Sequence, residues 1–217
     1  MTDDGGDDGL FVARAGLILA LRGLGITERG LLDAFESVPH EAFVPADYAE
    51  YAYKDASLPL GNGQSITSPM ILARLIAVLD PAGSAKLLEV GTGSGYSAAL
   101  LARFARRVFS LEKDRALLAA AVARWRDLAA DNIVGFVADG LNGMAQMAPF
   151  DRILLTGSVP DVPETLTGQL ADEGILVAAI GPGAERQIVT SVTREGANFL
   201  IAEHGTVRLP PLSSSLP

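Results

Sequence analysis

Apolar residues recur at i, i+3 and i+4 spacings from Leu10 to Leu24, a period that predicts an amphipathic helix packed on a core. A second helix is expected after Thr27, stopping before Pro39. Ser68 reads as an N-cap with Pro69 at the first helical position, opening the run MILARLIAVLD. Between Pro45 and Ser68 there is no long helical or strand period, and this stretch contains LPLGNGQSITSP. A polar, glycine-rich connection of that length is more often functional than idle. From Lys86 the rhythm changes to short apolar runs: KLLEVG, RVFSLE, NIVGFVA, RILLTG and GILVAAIG. Such runs predict parallel strands buried on both faces, and their alternation with helical segments implies right-handed crossovers. The fold expected is α/β: a Rossmann-like, doubly wound, mostly parallel sheet with an N-terminal helical extension. Gly196 to Arg208 reads as a closing hairpin.

At 217 residues the chain fits one domain. The expected organisation is an acidic tail over residues 1–9 and one domain over 10–212, followed by a tail over 213–217. Within the domain, 10–68 hold the N-terminal helices and the loop, and 69–212 hold the core. The absence of cysteine excludes disulfides, cysteine zinc sites and thiol nucleophiles, and His40 and His204 are too few for a histidine-rich metal site. Each histidine is expected to pack or face solvent, with ordinary titration near pH 6.5. Trp125 is expected in core or groove packing. A net charge of −9 argues against a nucleic-acid groove. The one basic run, Arg103 to Arg107, reads as a solvated helix end. The start MTDDGGDDG has the wrong sign for a secretory leader, and Leu10–Leu21 is too short for a membrane span. These features predict a cytoplasmic protein without membrane or nucleic-acid partners.

The strongest local motif is LLEVGTGSGY, Leu87 to Tyr96, between an expected strand and a helix. Gly91, Gly93 and Gly95 permit a tight turn and close approach of a ligand to the backbone. Glu112 ends the next strand, where a carboxylate can accept both hydroxyls of a ribose, and Asp139-Gly140 ends the third. A dinucleotide site favours G-x-G-x-x-G, whereas the spacing here is G-x-G-x-G, with Glu89 two residues before the first glycine. A carboxylate there repels pyrophosphate but suits a cationic amino-acid moiety. That combination favours S-adenosyl-L-methionine over a dinucleotide. The alternative role for Glu89 is to order the loop through backbone N–H groups.

With these segments in order, the chain resembles the protein-L-isoaspartate (D-aspartate) O-methyltransferases. The resemblance rests on VPHEAFVP (Val38 to Pro45), AYKDASLPLGNGQSITSP (Ala52 to Pro69), LLEVGTGSGYSAAL (Leu87 to Leu100), ADG (Ala138 to Gly140) and APFDRILLTGSVPDVP (Ala148 to Pro163). It implies S-adenosylmethionine-dependent methylation of isoaspartyl carboxylates in damaged proteins or peptides, a repair reaction. A specialised carboxylate acceptor, or a non-catalytic homologue that only binds the cofactor, are the alternatives. The cofactor set expected from motif and resemblance together is Gln64, Ser65, Ile66, Thr67, Glu89, Gly91, Gly93, Gly95, Glu112, Lys113, Asp139 and Gly140, with no metal. The family's loop motif ends T-I-S and its serine hydroxyl is the catalytic group, so the resemblance assigns that role to Thr67. The competing reading makes Thr67 a turn residue before the Ser68 cap. Asn62 stands where bacterial members often carry histidine. The family's closing run is V-x-[FY]-V-P-L, whose second valine offers its backbone N–H to the acceptor carboxylate. Here Pro210 takes that place and has no N–H, unless a shift of register lets Ser213 substitute.

Overall fold

The computed structural model describes residues 5–61, 63–183 and 185–212; the readings at Asn62 and Ser213, and both chain ends, fall outside them. Helix α1 (Gly5–Gly23) begins within the segment expected as an acidic tail, taking in residues 5–9 of it. Once Leu17 and Leu21 are anchored in the core, each further helical residue adds a hydrogen bond at low cost, so the helix runs back past its last packed side chain. Helix α2 (Arg29–Ser37) buries Leu31, Leu32, Ala34 and Phe35. The stretch read as irregular contains a small hairpin, β1 (Leu58–Gly61) and β2 (Gln64–Ile66). Helix α3 (Pro69–Leu79) starts as expected, with the Ser68 side chain accepting the Ile71 N–H at 3.2 Å.

The main sheet is built from β3 (Lys86–Val90), β4 (Arg107–Glu112), β5 (Ile133–Val137), β6 (Phe150–Val159), β7 (Leu170–Ile180), β8 (Gln187–Glu195) and β9 (Asn198–Val207). Its order is β5-β4-β3-β6-β7-β8-β9, parallel from β5 to β7 and antiparallel beyond. The segment expected as a closing hairpin is therefore a single strand paired with β8. Gly196 (φ +63°) makes the turn, while Gly205 (φ +91°) falls where the β8–β9 register slips between Ile188 and Thr190.

Side chains alternate across β3. Leu87 joins the core cluster under α1, α2, α3, α4 (Tyr96–Leu101) and α5 (Arg115–Asp127), while Leu88 and Val90 join the cluster on the opposite face. That second face is covered by α6 (Glu164–Thr167) and the 3-10 turns at Gly140–Asn142 and Ala145–Met147. Strand order reverses between β3 and β6, and a crevice at the carboxyl ends of strands forms at such a switch point. Among the described residues, no helix is long and apolar enough to cross a membrane.

Candidate active site

The cleft at that switch point is open on one side and draws on three parts of the chain. Residues 64–67 form one wall, the ends of β3, β4 and β5 another, and Thr156, Gly157 and 210–212 the third. The glycine loop turns sharply from β3 into α4. At Gly91 (φ +95°) a Cβ would strike the Thr156 hydroxyl, which bonds the Val90 carbonyl at 3.1 Å and that of Gly91. Gly95 behaves differently from expectation, because it faces the core rather than the cleft. A Cβ there would lie 2.8 Å from both Ala121 and Trp125 Nε1, and Trp125 donates to the Gly95 carbonyl at 2.8 Å. Its glycine serves helix packing, and it does not line the cleft.

Glu112 ends β4 with both carboxylate oxygens already partnered. One accepts the Gly93 N–H at 2.9 Å and the other the Asp114 N–H at 3.0 Å. Each oxygen can accept a further hydrogen bond, and Glu112 lines the cleft. Asp139 accepts the Leu141 N–H at 3.1 Å, and Gly140 is pressed so closely on Val90 that no Cβ fits. Lys113 lines the same wall.

Glu89 departs from the expected role toward a cationic ligand. It is fully buried behind the loop and absent from the cleft wall, accepting hydrogen bonds from Ser97 and Ser110. Ser110 in turn meets the Thr92 hydroxyl at 2.6 Å. It thus ties β3, β4 and α4 together through hydroxyls, where the alternative reading had backbone N–H groups. Burial pushes its carboxyl up to about 7, against the two hydroxyls that favour the charged form.

Gln64, Ser65, Ile66 and Thr67 all line the cleft. The Ser68 hydroxyl is committed, donating to Asp55 at 2.6 Å while capping α3. No described residue engages the Thr67 hydroxyl, which leaves it available at the cleft. Pro210 and Leu212 reach the cleft because the C-terminal segment lies back on β6: Ser158 N–H donates to the Pro210 carbonyl and Leu212 N–H to Ser158, both at 2.9 Å. Thr156 carries no role in the sequence reading, although a Thr-Gly pair closes the apolar run RILLTG; it lies within β6, where the β6–β7 register shifts between Leu154 and Ser158. His40 is not the ordinary titrating group expected. It is 1% exposed, bonds the Ala52 carbonyl through Nδ1 and packs on Tyr96 with ring centroids 4.1 Å apart. Burial lowers its pKa to about 4, so the ring is neutral. His204 lies on β9 with Nε2 2.8 Å from the Ser191 hydroxyl.

A switch-point cleft with a glycine loop and strand-end carboxylates defines a Rossmann-like α/β domain of the S-adenosylmethionine-dependent methyltransferase type. Solved structures share this fold. One described as a protein-L-isoaspartate O-methyltransferase superposes with a TM-score of 0.83 at 24% identity, over 94% of this chain and 67% of its own. Another, from Plasmodium falciparum and in complex with S-adenosyl-L-homocysteine, gives 0.79 at 20% identity over 92% of this chain and 98% of its own. The sequence narrows the class. The family profile "Protein-L-isoaspartate(D-aspartate) O-methyltransferase" matches residues 13–216. The protein-L-isoaspartate O-methyltransferase of Maricaulis maris is 41% identical over 196 residues, 90% of this chain and 92% of that one. The chain belongs to the protein-L-isoaspartate (D-aspartate) O-methyltransferase family.

Proposed function

We infer that this enzyme uses S-adenosyl-L-methionine to methylate the carboxylate of isoaspartyl residues in damaged proteins and peptides, D-aspartyl residues being the second acceptor class, and that it does so in the cytoplasm. The observation that carries the reading is the convergence of the 64–67 loop and the glycine loop on one cleft, in a chain whose family match spans residues 13–216. The charged groups on the described cleft wall are Glu112, Asp139 and Lys113. Two carboxylates and one lysine suit a phosphate-free, cationic nucleoside better than a pyrophosphate.

In this reading Glu112 accepts the ribose hydroxyls, Asp139 and Gly140 flank the adenine, and Gly91 and Gly93 let the ligand approach the backbone. When bound, the cofactor supplies an electrophilic methyl group on a sulfonium. The acceptor carboxylate is ionised at neutral pH, so the protein needs no strong base. Its task is to align the carboxylate and exclude water, and alignment alone can lower a barrier by about 7–11 kcal/mol. In this reading Thr67, whose hydroxyl no described residue engages, holds an acceptor oxygen; Leu72 and Leu75 line the cleft beside it. The test is methyl transfer to a matched pair of isoaspartyl and aspartyl peptides. Turnover of the isoaspartyl peptide alone is expected. Equal labelling of both, or of neither while another carboxylate is methylated, overturns the acceptor assignment.

A further inference from the structure

Helix α1 is apolar on both sides. Its inner face, with Leu10, Ala13, Leu17 and Leu21, packs into the core. Its outer face exposes Phe11, Val12 and Leu19 at 70%, 67% and 67%, and Leu24, just past the helix end, at 51%. The exposed positions between them are the small residues Ala15, Gly16, Ala20 and Gly23, and the one charged residue on the outer side from Gly9 onward is Arg22. Arg14 turns inward to Glu41 and Tyr53. A helix apolar all round is normally covered.

We propose that this face pairs with its counterpart on a second copy of the chain, the two α1 helices crossing antiparallel about Ala15 and Gly16. The face is self-complementary in that register. Val12, Leu19 and Gly23 fall on one stripe at helical spacing. A two-fold axis between Ala15 and Gly16 sets Val12 against Leu19 of the partner subunit, and Leu19 against the partner's Val12. The small residues meet at the centre, where they allow the helices to approach closely. Arg22 falls opposite Gly9 of the second copy, so no like charges meet. Full coverage, at about 100 Å² on each large side chain and roughly half that on each small one, gives at most about 600 Å² per copy, just above the ~500 Å² per partner that is the floor for a specific interface and below the ~800 Å² of a standard one. An anionic lipid surface is the poorer occupant, because the chain carries −9 and this face offers a single cation.

Sedimentation velocity on the full chain at tens of micromolar should give a species of twice the 22.6 kDa chain mass. Leu19→Glu and Val12→Lys, each tested alone, should weaken that dimer about a hundredfold or more, as expected at the centre of an interface. Both positions are exposed, so circular dichroism and cofactor binding should stay unchanged. The variant carrying both substitutions should dimerise more tightly in low salt than Val12→Lys and Leu19→Glu would if their costs added, because the antiparallel register sets each lysine opposite the partner's glutamate. A monomeric wild type, a dimer indifferent to Leu19→Glu, or a double variant as weak as the two costs added together would each overturn the proposal. So would a monomer that co-sediments with anionic vesicles through this helix.

Discussion

Single residues divide the site into parts legible from spacing and parts that only packing decides. Glu112 and Asp139 stand at strand ends, where residue type and position already indicate a role. Glu89 misled because spacing places it near the loop, whereas strand alternation aims it, with Leu87, at the face covered by α4. If Glu112 holds the ribose, Glu112→Ala should lose about 1.5–3 kcal/mol of cofactor binding by calorimetry, the worth of charge-assisted hydrogen bonds. Unchanged affinity would remove it from the site. Thr67→Val keeps the shape of the side chain and deletes the hydroxyl. It should slow methyl transfer by about ten- to a hundredfold with cofactor affinity intact, while Thr67→Ser retains activity. Equal rates for threonine and valine would leave Thr67 as a turn residue.

At the scale of elements, the apolar runs of β3, β4, β6 and β7 were readable because strands buried on both faces must be continuously hydrophobic, whereas β5, read the same way, is a half-buried edge strand with Val137 exposed. The β1–β2 hairpin and β8 were not. The hairpin strands are three or four residues long, and β8 mixes threonine, serine and charge with its valines. Gly95 and Glu89 both act as joints between elements. Gly95→Ala adds a methyl at φ +89° against Ala121 and Trp125. It should cost about 2–4 kcal/mol in denaturant unfolding, from left-handed strain plus overpacking. A variant of normal stability that binds cofactor poorly would instead restore Gly95 to the cleft. Glu89 links β3, β4 and α4 with its carboxyl raised from 4.5 to about 7 by burial. The native state then holds a proton that the unfolded chain releases, so its stabilising share is present below about pH 4.5 and is lost as pH rises through about 7. Relative to Glu89→Gln, the wild type should lose several degrees of Tm between pH 5.5 and pH 8, at about 2–4 °C per kcal/mol for a chain this size. Parallel melting profiles would show that Glu89 binds no such proton.

The cleft is a property of the whole molecule, because no local pattern reveals that residues 64–67, the ends of β3 to β5 and the segment 210–212 meet. Strand order brings them together, and the reversal between β3 and β6 decides where. Family resemblance supplied what periodicity could not, including the place where this chain departs from the pattern that the resemblance implies. Pro210 lines the cleft and has no N–H, at the position where the family pattern puts a valine whose N–H meets the acceptor. Its carbonyl is already used by Ser158, so Pro210→Val adds a donor while the anchoring of this segment on β6 persists. One donor to a carboxylate is worth about 1.5–3 kcal/mol, or one to two decades in kcat/KM where the contact holds in the transition state. The wild type should therefore turn over generic isoaspartyl peptides weakly while binding cofactor well. Pro210→Val should raise kcat/KM on the same peptide by about tenfold or more at saturating cofactor. A wild type that is not improved by the substitution would show that the acceptor is held without this N–H, and that the proline leaves recognition undamaged.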